Sequence, residues 1–152
     1  MIPHLTALGN VATALLYRDL TKSDIYERAL SALSMVGLEE RHDHRPIQMS
    51  GGEQQRVAIA RALVTEPLMI LADEPTGALD TKTAKIVLDI FKNLQSENRA
   101  IVLVTHDLEI AEQMDRVVSM RDGKIIADDL RSERTDSLED RFWESGSGSK
   151  LE

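Results

Sequence analysis

Leu68-Met69-Ile70-Leu71-Ala72-Asp73-Glu74-Pro75 is a short apolar run that ends in two adjacent carboxylates. Its length, and the prolines at 67 and 75 that bound the run, predict a strand buried on both faces, as in a parallel sheet. Ala100-Ile101-Val102-Leu103-Val104 repeats the pattern, and it too stops at a polar cluster, Thr105-His106-Asp107. Between the two runs, Thr81 to Leu94 sets Ile86, Ile90, Phe91 and Leu94 at helical spacing, with these four expected to face inward. Buried strands alternating with helices indicate an α/β fold with a mainly parallel sheet.

Working outward, the residues before the first strand are helical in pattern. Thr6 to Tyr17 can form a helix capped by Thr6, with Leu8, Val11, Leu15 and Leu16 on one side. Lys22 to Val36 predicts a second, with Ser23 as its start and Gly37 where a helix end needs positive φ. Glu39 to Pro46 is a polar loop. Ser50-Gly51-Gly52 then opens a third helix through Val57, Ile59, Ala60, Ala62 and Leu63, ending before Pro67. Past the second strand come a short helix, Leu108 to Met114, and a hairpin of Arg116 to Met120 and Lys124 to Ala127 turning at Asp122-Gly123. Residues 1–128 are therefore expected to form one domain, with 1–65 a helical insertion or subdomain and 66–128 the strand-bearing core. Residues 129–152 form a charged tail with a short helix around Leu138 to Trp143. Its Ser145-Gly146-Ser147-Gly148-Ser149 has the character of a flexible linker or expression scar.

Composition bounds the function. With 42% apolar and 29% charged residues, the chain has the balance of an ordinary soluble globular domain. No apolar run approaches the roughly 18 to 20 residues needed to cross a bilayer, so a membrane role has to come through a partner. The first residues, Met1-Ile2-Pro3-His4, have no basic start and no cleavage site. There are no cysteines, which excludes disulfides and thiolate metal sites and is compatible with a reducing cytoplasm. A net charge of −8, scattered Lys and Arg, and 3% aromatics argue against direct nucleic-acid binding.

Four segments carry candidate chemistry. In open α/β sheets, ligands sit beyond the carboxyl ends of the parallel strands. There Asp73 suits a hard cation such as Mg²⁺, and Glu74 suits a general base on an attacking water; alternatively, Asp-Glu-Pro is only a polar strand exit. Ser50-Gly51-Gly52 at a helix start offers backbone N–H groups to an anion, or is an ordinary Ser cap on a glycine-rich turn. His106 stands at the end of the second strand, where it could reach a phosphate or be simply polar. Asp80, closing Gly77-Ala78-Leu79-Asp80, is expected to cap the helix beginning near Thr81.

Order and spacing join these segments. Ser50 to Leu63 resembles the signature motif and helix of ABC-type ATPases. Leu68 to Pro75 looks like their Walker B strand with its catalytic glutamate, Thr76 to Asp80 resembles the D-loop, and Val104 to Asp107 the H-loop. The resemblance covers about residues 1–128 and is nearest to lipoprotein-releasing and macrolide-exporter-type ATPase subunits, which share Ala72-Asp73-Glu74-Pro75-Thr76-Gly77.

That resemblance implies a P-loop NTPase-like fold with a helical signature subdomain, ATP and Mg²⁺ as cofactors, and a second ATPase domain paired head to tail. Ser50, Gly51, Gly52 and Glu53 would hold the γ-phosphate of a nucleotide bound to the partner. Asp73 would serve Mg²⁺, Glu74 the water and His106 the γ-phosphate, while Asp80 would couple the two sites. Thr6 to about Met49 resembles the part that contacts membrane-spanning transporter subunits, which puts the chain in the cytoplasm on the inner face of the plasma membrane. A soluble ABC-type ATPase of DNA repair or translation fits less well, given the charge and the lack of a long coiled-coil insertion.

Glu53 stands where many members have glutamine, and no Gly-x-x-x-x-Gly-Lys-Ser/Thr occurs anywhere. The chain is thus expected to begin mid-domain, without the N-terminal Walker A part, to be inactive alone, and to be marginally stable or self-associating through uncovered strands. Its alternative is a non-hydrolysing module that lends only the signature loop, although such a module would have no chemical need for Glu74 and His106.

Overall fold

The computed structural model describes residues 1–96 and 99–133. These belong to two compact units, one of Met1–Val104 and one beginning at Thr105. The helix around Leu138 to Trp143 and the linker of 145–149 lie outside the described residues.

The first unit is built on α1 (Ala7–Ala12), α2 (Lys22–Met35) and α3 (Gly51–Leu63), which pack on one another. Thr6 caps α1 by accepting from the Gly9 amide. The helix then tightens into a 3₁₀ turn at Thr13–Leu15, so the expected helix to Tyr17 stops early. The tighter turn changes the phase: Leu15 is buried and Leu16, expected on the same side, is 63% exposed.

α2 starts at Thr21 and not at Ser23. The Thr21 side chain accepts from the Asp24 amide while the Asp24 carboxylate accepts from the Thr21 amide, a reciprocal cap that Ser23, with Tyr26 three residues on, has no partner to make. Gly37 follows at φ 68, as expected.

Pro67 ends the helical region, and β1 (Met69–Asp73) runs parallel to β2 (Ala100–Val104), with Met69 opposite Ala100 and Asp73 opposite Val104. α4 (Thr81–Ser96) connects them. One core joins Val11, Leu15, Leu33, Val57 and Leu63 to Ile70 and to Val87, Ile90, Phe91 and Leu94 of α4. Burying a side chain of this size contributes about 2 kcal/mol.

Two burial expectations are corrected here. β1 and β2 are covered on one face only: Ile70 is buried, but Met69 is 62% and Leu71 70% exposed, and Val102 and Val104 of β2 are open on the same side, because only β1 and β2 pair among the described residues and the helical core lies against a single side. In α4 the inward stripe is Val87, Ile90, Phe91 and Leu94, and Ile86, one step off it, is exposed.

In the second unit, Asp107 caps α5 (Leu108–Glu112) by accepting from the Ile110 amide at 3.2 Å. β3 (Arg116–Arg121) and β4 (Lys124–Leu130) form the expected hairpin, with Asp122 and Gly123 both at positive φ. It extends to Leu130, closed near its open end by a bidentate pair of Arg116 and Asp128 at 2.8 and 2.6 Å. No described helix is long and apolar enough to cross a membrane.

Candidate functional site

The N-terminus of α3 is organised by its own side chains. Ser50 Oγ accepts from the Glu53 amide at 3.2 Å, and Glu53 accepts from the Ser50 amide at 2.8 Å. This capping box satisfies two donors that a helix start would otherwise leave open. The Ser50 bonds, the amide's foremost, hold the Glu53 carboxyl below its ordinary value. Burial pushes the other way, while Arg41 and Arg56 add to the lowering. Gln54 donates from its side-chain amide to the carbonyls of Pro46 and Met49, fixing the loop that leads in. Gly51 stays exposed with open space where a Cβ would stand, whereas Gly52 is buried.

Asp73 and Glu74 lie at the carboxyl end of β1, the edge where such sheets take ligands. Asp73 is exposed and Glu74 partly so. The Glu74 amide donates to the Val104 carbonyl at 2.8 Å, so the parallel ladder extends one residue past β1. Glu74 itself sits at φ 44, a left-handed conformation that non-glycine residues adopt at some cost and that clusters at functional positions. Pro75 and Thr76 after it are buried. A Cβ at Gly77 would stand 3.4 Å from Glu74 Oε2, in ordinary contact with that carboxylate.

Asp80 caps α4, as expected: its carboxylate accepts from the Thr83 amide at 3.1 Å and the Thr83 hydroxyl at 2.7 Å. These two bonds, the hydroxyl's first, lower its pKa against a small desolvation effect. Thr83 was not among the sequence candidates, although Asp80 followed three residues later by a threonine is the signal that could have found it. Its methyl Cγ2 abuts Gly52, and a Cβ added there would overlap it. The structure therefore brings Ser50, Gly51, Gly52, Glu53 and Asp80 into one neighbourhood through Thr83. His106 is exposed, two residues beyond β2, and belongs to the second unit.

Among the described residues, no three His, Cys, Asp or Glu side chains converge as a metal cage. The carboxylate of Asp73 at the end of β1 is an oxygen donor of the kind Mg²⁺ takes, one or two such groups commonly sharing the ion with substrate phosphates and waters.

Residues 1–77, just over half of the chain, match the ABC transporter family. The uncharacterized ABC transporter ATP-binding protein YknY of Bacillus subtilis is 51% identical over 126 residues, covering 83% of this chain and 55% of that protein. The macrolide export ATP-binding/permease protein MacB of Pasteurella multocida is 48% identical over 128 residues, covering 84% of this chain and 20% of that one. Among solved structures, the dimeric post-hydrolysis state of the ATP-binding cassette MJ0796 bound to ADP and Pi is 42% identical with a TM-score of 0.76, over 86% of this chain and 59% of that one. The chain thus spans about half the length of the ATP-binding relatives and a fifth of the exporters. The P-loop NTPase-like α/β fold expected from the motifs is the fold of these cassettes, and the chain belongs to the ABC transporter family.

Proposed function

We propose that these residues form the signature, Walker B, D-loop and H-loop portion of an ATPase that drives a membrane transporter. The observation that carries the reading is Glu74. It sits at φ 44 beyond β1, with its amide bonded to the Val104 carbonyl. Strain maintained at an acidic residue on the ligand-binding edge suits a group that must aim at a water. Asp73 beside it would hold Mg²⁺, whose charge would offset that developing on the transferred phosphoryl group.

Ser50, Gly51, Gly52 and Glu53 would address the γ-phosphate of a nucleotide on a second ATPase domain, paired head to tail. The capped helix start, with Gly51 open, supports that role. His106 would contact the γ-phosphate, and Asp80 would couple the two sites. The dimeric MJ0796 neighbours support the pairing, and the permease halves of the exporter relatives support membrane-spanning partners at Thr6 to Met49. The chain would then act in the cytoplasm, on the inner face of the membrane. The division at 65/66 follows the same reading, with the helical part serving the transporter and 66–128 the chemistry.

A second reading is the non-hydrolysing donor of a signature loop, a role that the Ser50–Glu53 cap and the open Gly51 would serve without Glu74. One experiment separates them. ATP binding and hydrolysis are measured for the 152 residues alone and for the same residues joined in frame to a Walker A segment from a relative. The 152 residues alone should bind ATP negligibly. The completed protein should turn ATP over, and its Glu74→Gln variant should bind ATP with kcat reduced on the order of 100-fold or more. Turnover unaffected by Glu74→Gln would remove Glu74 from the chemistry, and a completed protein that binds ATP without hydrolysing it would favour the donor.

A further inference from the structure

Asp80 and Gly52 lie on different elements, yet one side chain touches both. Thr83, in the first turn of α4, donates its hydroxyl to Asp80 Oδ2 at 2.7 Å and its amide to Oδ1 at 3.1 Å. The other branch of the same β-carbon carries Cγ2, which occupies the space a side chain at Gly52 would need. A Cβ at Gly52 would also meet Thr83 Cβ at 3.3 Å and Oγ1 at 3.4 Å, so the whole side chain and not one flexible tip closes that space. Threonine has a single stiff χ1 that sets both branches together. With the hydroxyl committed to the carboxylate, the methyl has only one place to go. Gly52 is buried and lies in the first turn of α3 next to the Ser50–Glu53 capping box, so the position of that turn is fixed against α4 at this contact.

We infer that Thr83 is a positioning residue that ties the Asp80 carboxylate to the backbone of Gly52, so that the loop before α4 and the first turn of α3 move as one body. Serine keeps the hydroxyl bond without the methyl stop, and valine keeps the stop without the bond. Neither does both. This inference rests on the functional reading only for its consequence: if Gly52 faces a partner's γ-phosphate and Asp80 couples the two sites, Thr83 fixes their mutual geometry before the partner arrives. Loss of that geometry would slow the closed dimer's reaction and leave each subunit's own nucleotide binding untouched.

The test is a double-mutant cycle on the 152-residue chain, read by thermal unfolding. Alanine for glycine within a helix is normally favourable. Here Gly52→Ala should lower Tm by on the order of 5 °C, because it overpacks against Thr83. In a Thr83→Ser background the same change should cause no loss. Equal effects of Gly52→Ala in both backgrounds would overturn the contact.

A second readout follows the carboxyl carbon of Asp80 by NMR titration. Thr83→Val should raise its midpoint toward the ordinary aspartate value, and Thr83→Ser should leave it low. No change with valine would overturn the tie to Asp80. The third is kinetic, in the Walker A-completed protein: Thr83→Val should lower kcat on the order of tenfold with KM for ATP unchanged, whereas a kcat left unchanged by valine would overturn the positioning role. Thr83→Ser should show how much of the loss the hydroxyl alone restores. If the completed parent itself fails to turn over, the ATPase reading falls, while the cycle and the titration, which use no nucleotide, still decide the contact.

Discussion

At Glu53 one carboxylate oxygen accepts from the Ser50 amide at 2.8 Å while Arg41 approaches the other at 3.6 Å. The pKa falls below the ordinary 4.5, led by the Ser50 amide bond. A folded-state pKa below the unfolded one means stabilisation that is present above about pH 4.5 and lost as pH falls through the depressed value. Asp24 and Asp80 shift in the same direction from 3.8, each through bonds from a threonine hydroxyl and amide. Three helix starts therefore loosen together in acid. Glutamine at 53 would keep an acceptor for the Ser50 amide but would not titrate. Glu53→Gln should thus match the parent within about 1 kcal/mol at pH 7 and show a shallower fall in Tm between pH 5 and 3 on a pH series of melts. An acid limb as steep as the parent's would show that Glu53 contributes nothing to it. The Ser50 cap was legible in the sequence because its glycines and its partner lie within three residues. The partner across space, Thr83, was not, because no local pattern says which helix Gly52 will meet.

Among the elements, the entry to α1 depends on one amide side chain. Asn10 is fully buried. Its oxygen accepts from the Ile2 amide at 2.7 Å, and its Nδ2 donates to the carbonyls of Ile2, Leu5 and Thr6 at 3.1, 3.3 and 2.9 Å. The turn of residues 2–6 is thereby closed onto the helix, while the Ala7 and Leu8 amides reach the carbonyls of His44 and His42. Asn10→Leu would leave the Ile2 amide without its acceptor and insert bulk into a filled site. It should cost about 3 kcal/mol in a denaturant melt, whereas Asn10→Asp keeps the acceptor and should cost less. Equal losses would mean that the Nδ2 donors, which both variants lose, set the penalty and not the acceptor for the Ile2 amide.

Such buried polar stitches are illegible to periodicity, which counts Asn10 as a gap between Leu8 and Val11. Periodicity did locate α2, α3, α4 and both parallel strands, since each carries its apolar residues on one repeat. It misplaced Leu16 where the helix tightened to 3₁₀, and it chose Ser23 over Thr21 because the cap is decided by Asp24 and not by the capping residue type. The places of Ser50, Asp73, Glu74, Asp80 and His106 at or just beyond element ends were legible because composition changes abruptly there. The strain at Glu74 was not, because nothing in Asp-Glu-Pro signals positive φ.

For the molecule as a whole, the exposed side of β1 and β2 sets behaviour in solution. Met69 and Leu71 on one strand, with Val102 and Val104 on the other, leave apolar surface open beside strand edges that pair with nothing further among the described residues. Removing such surface from water gains roughly 25 cal/mol per Å², and an unpaired strand edge supplies hydrogen bonds in the same encounter. Opposing this is a net charge of −8, which keeps copies apart over a Debye length of about 8 to 10 Å at ordinary salt. The apolar attraction does not weaken with salt and the repulsion does. The repulsion also vanishes near the sequence pI of about 5.0. The 152-residue chain should therefore self-associate with rising concentration in sedimentation velocity, more strongly at high salt and as pH approaches 5. Leu71→Lys, which changes an exposed side chain and no core contact, should restore the monomer at pH 7. A monomer with a sharp, concentration-independent melt under all these conditions would mean that the open strands are not sticky.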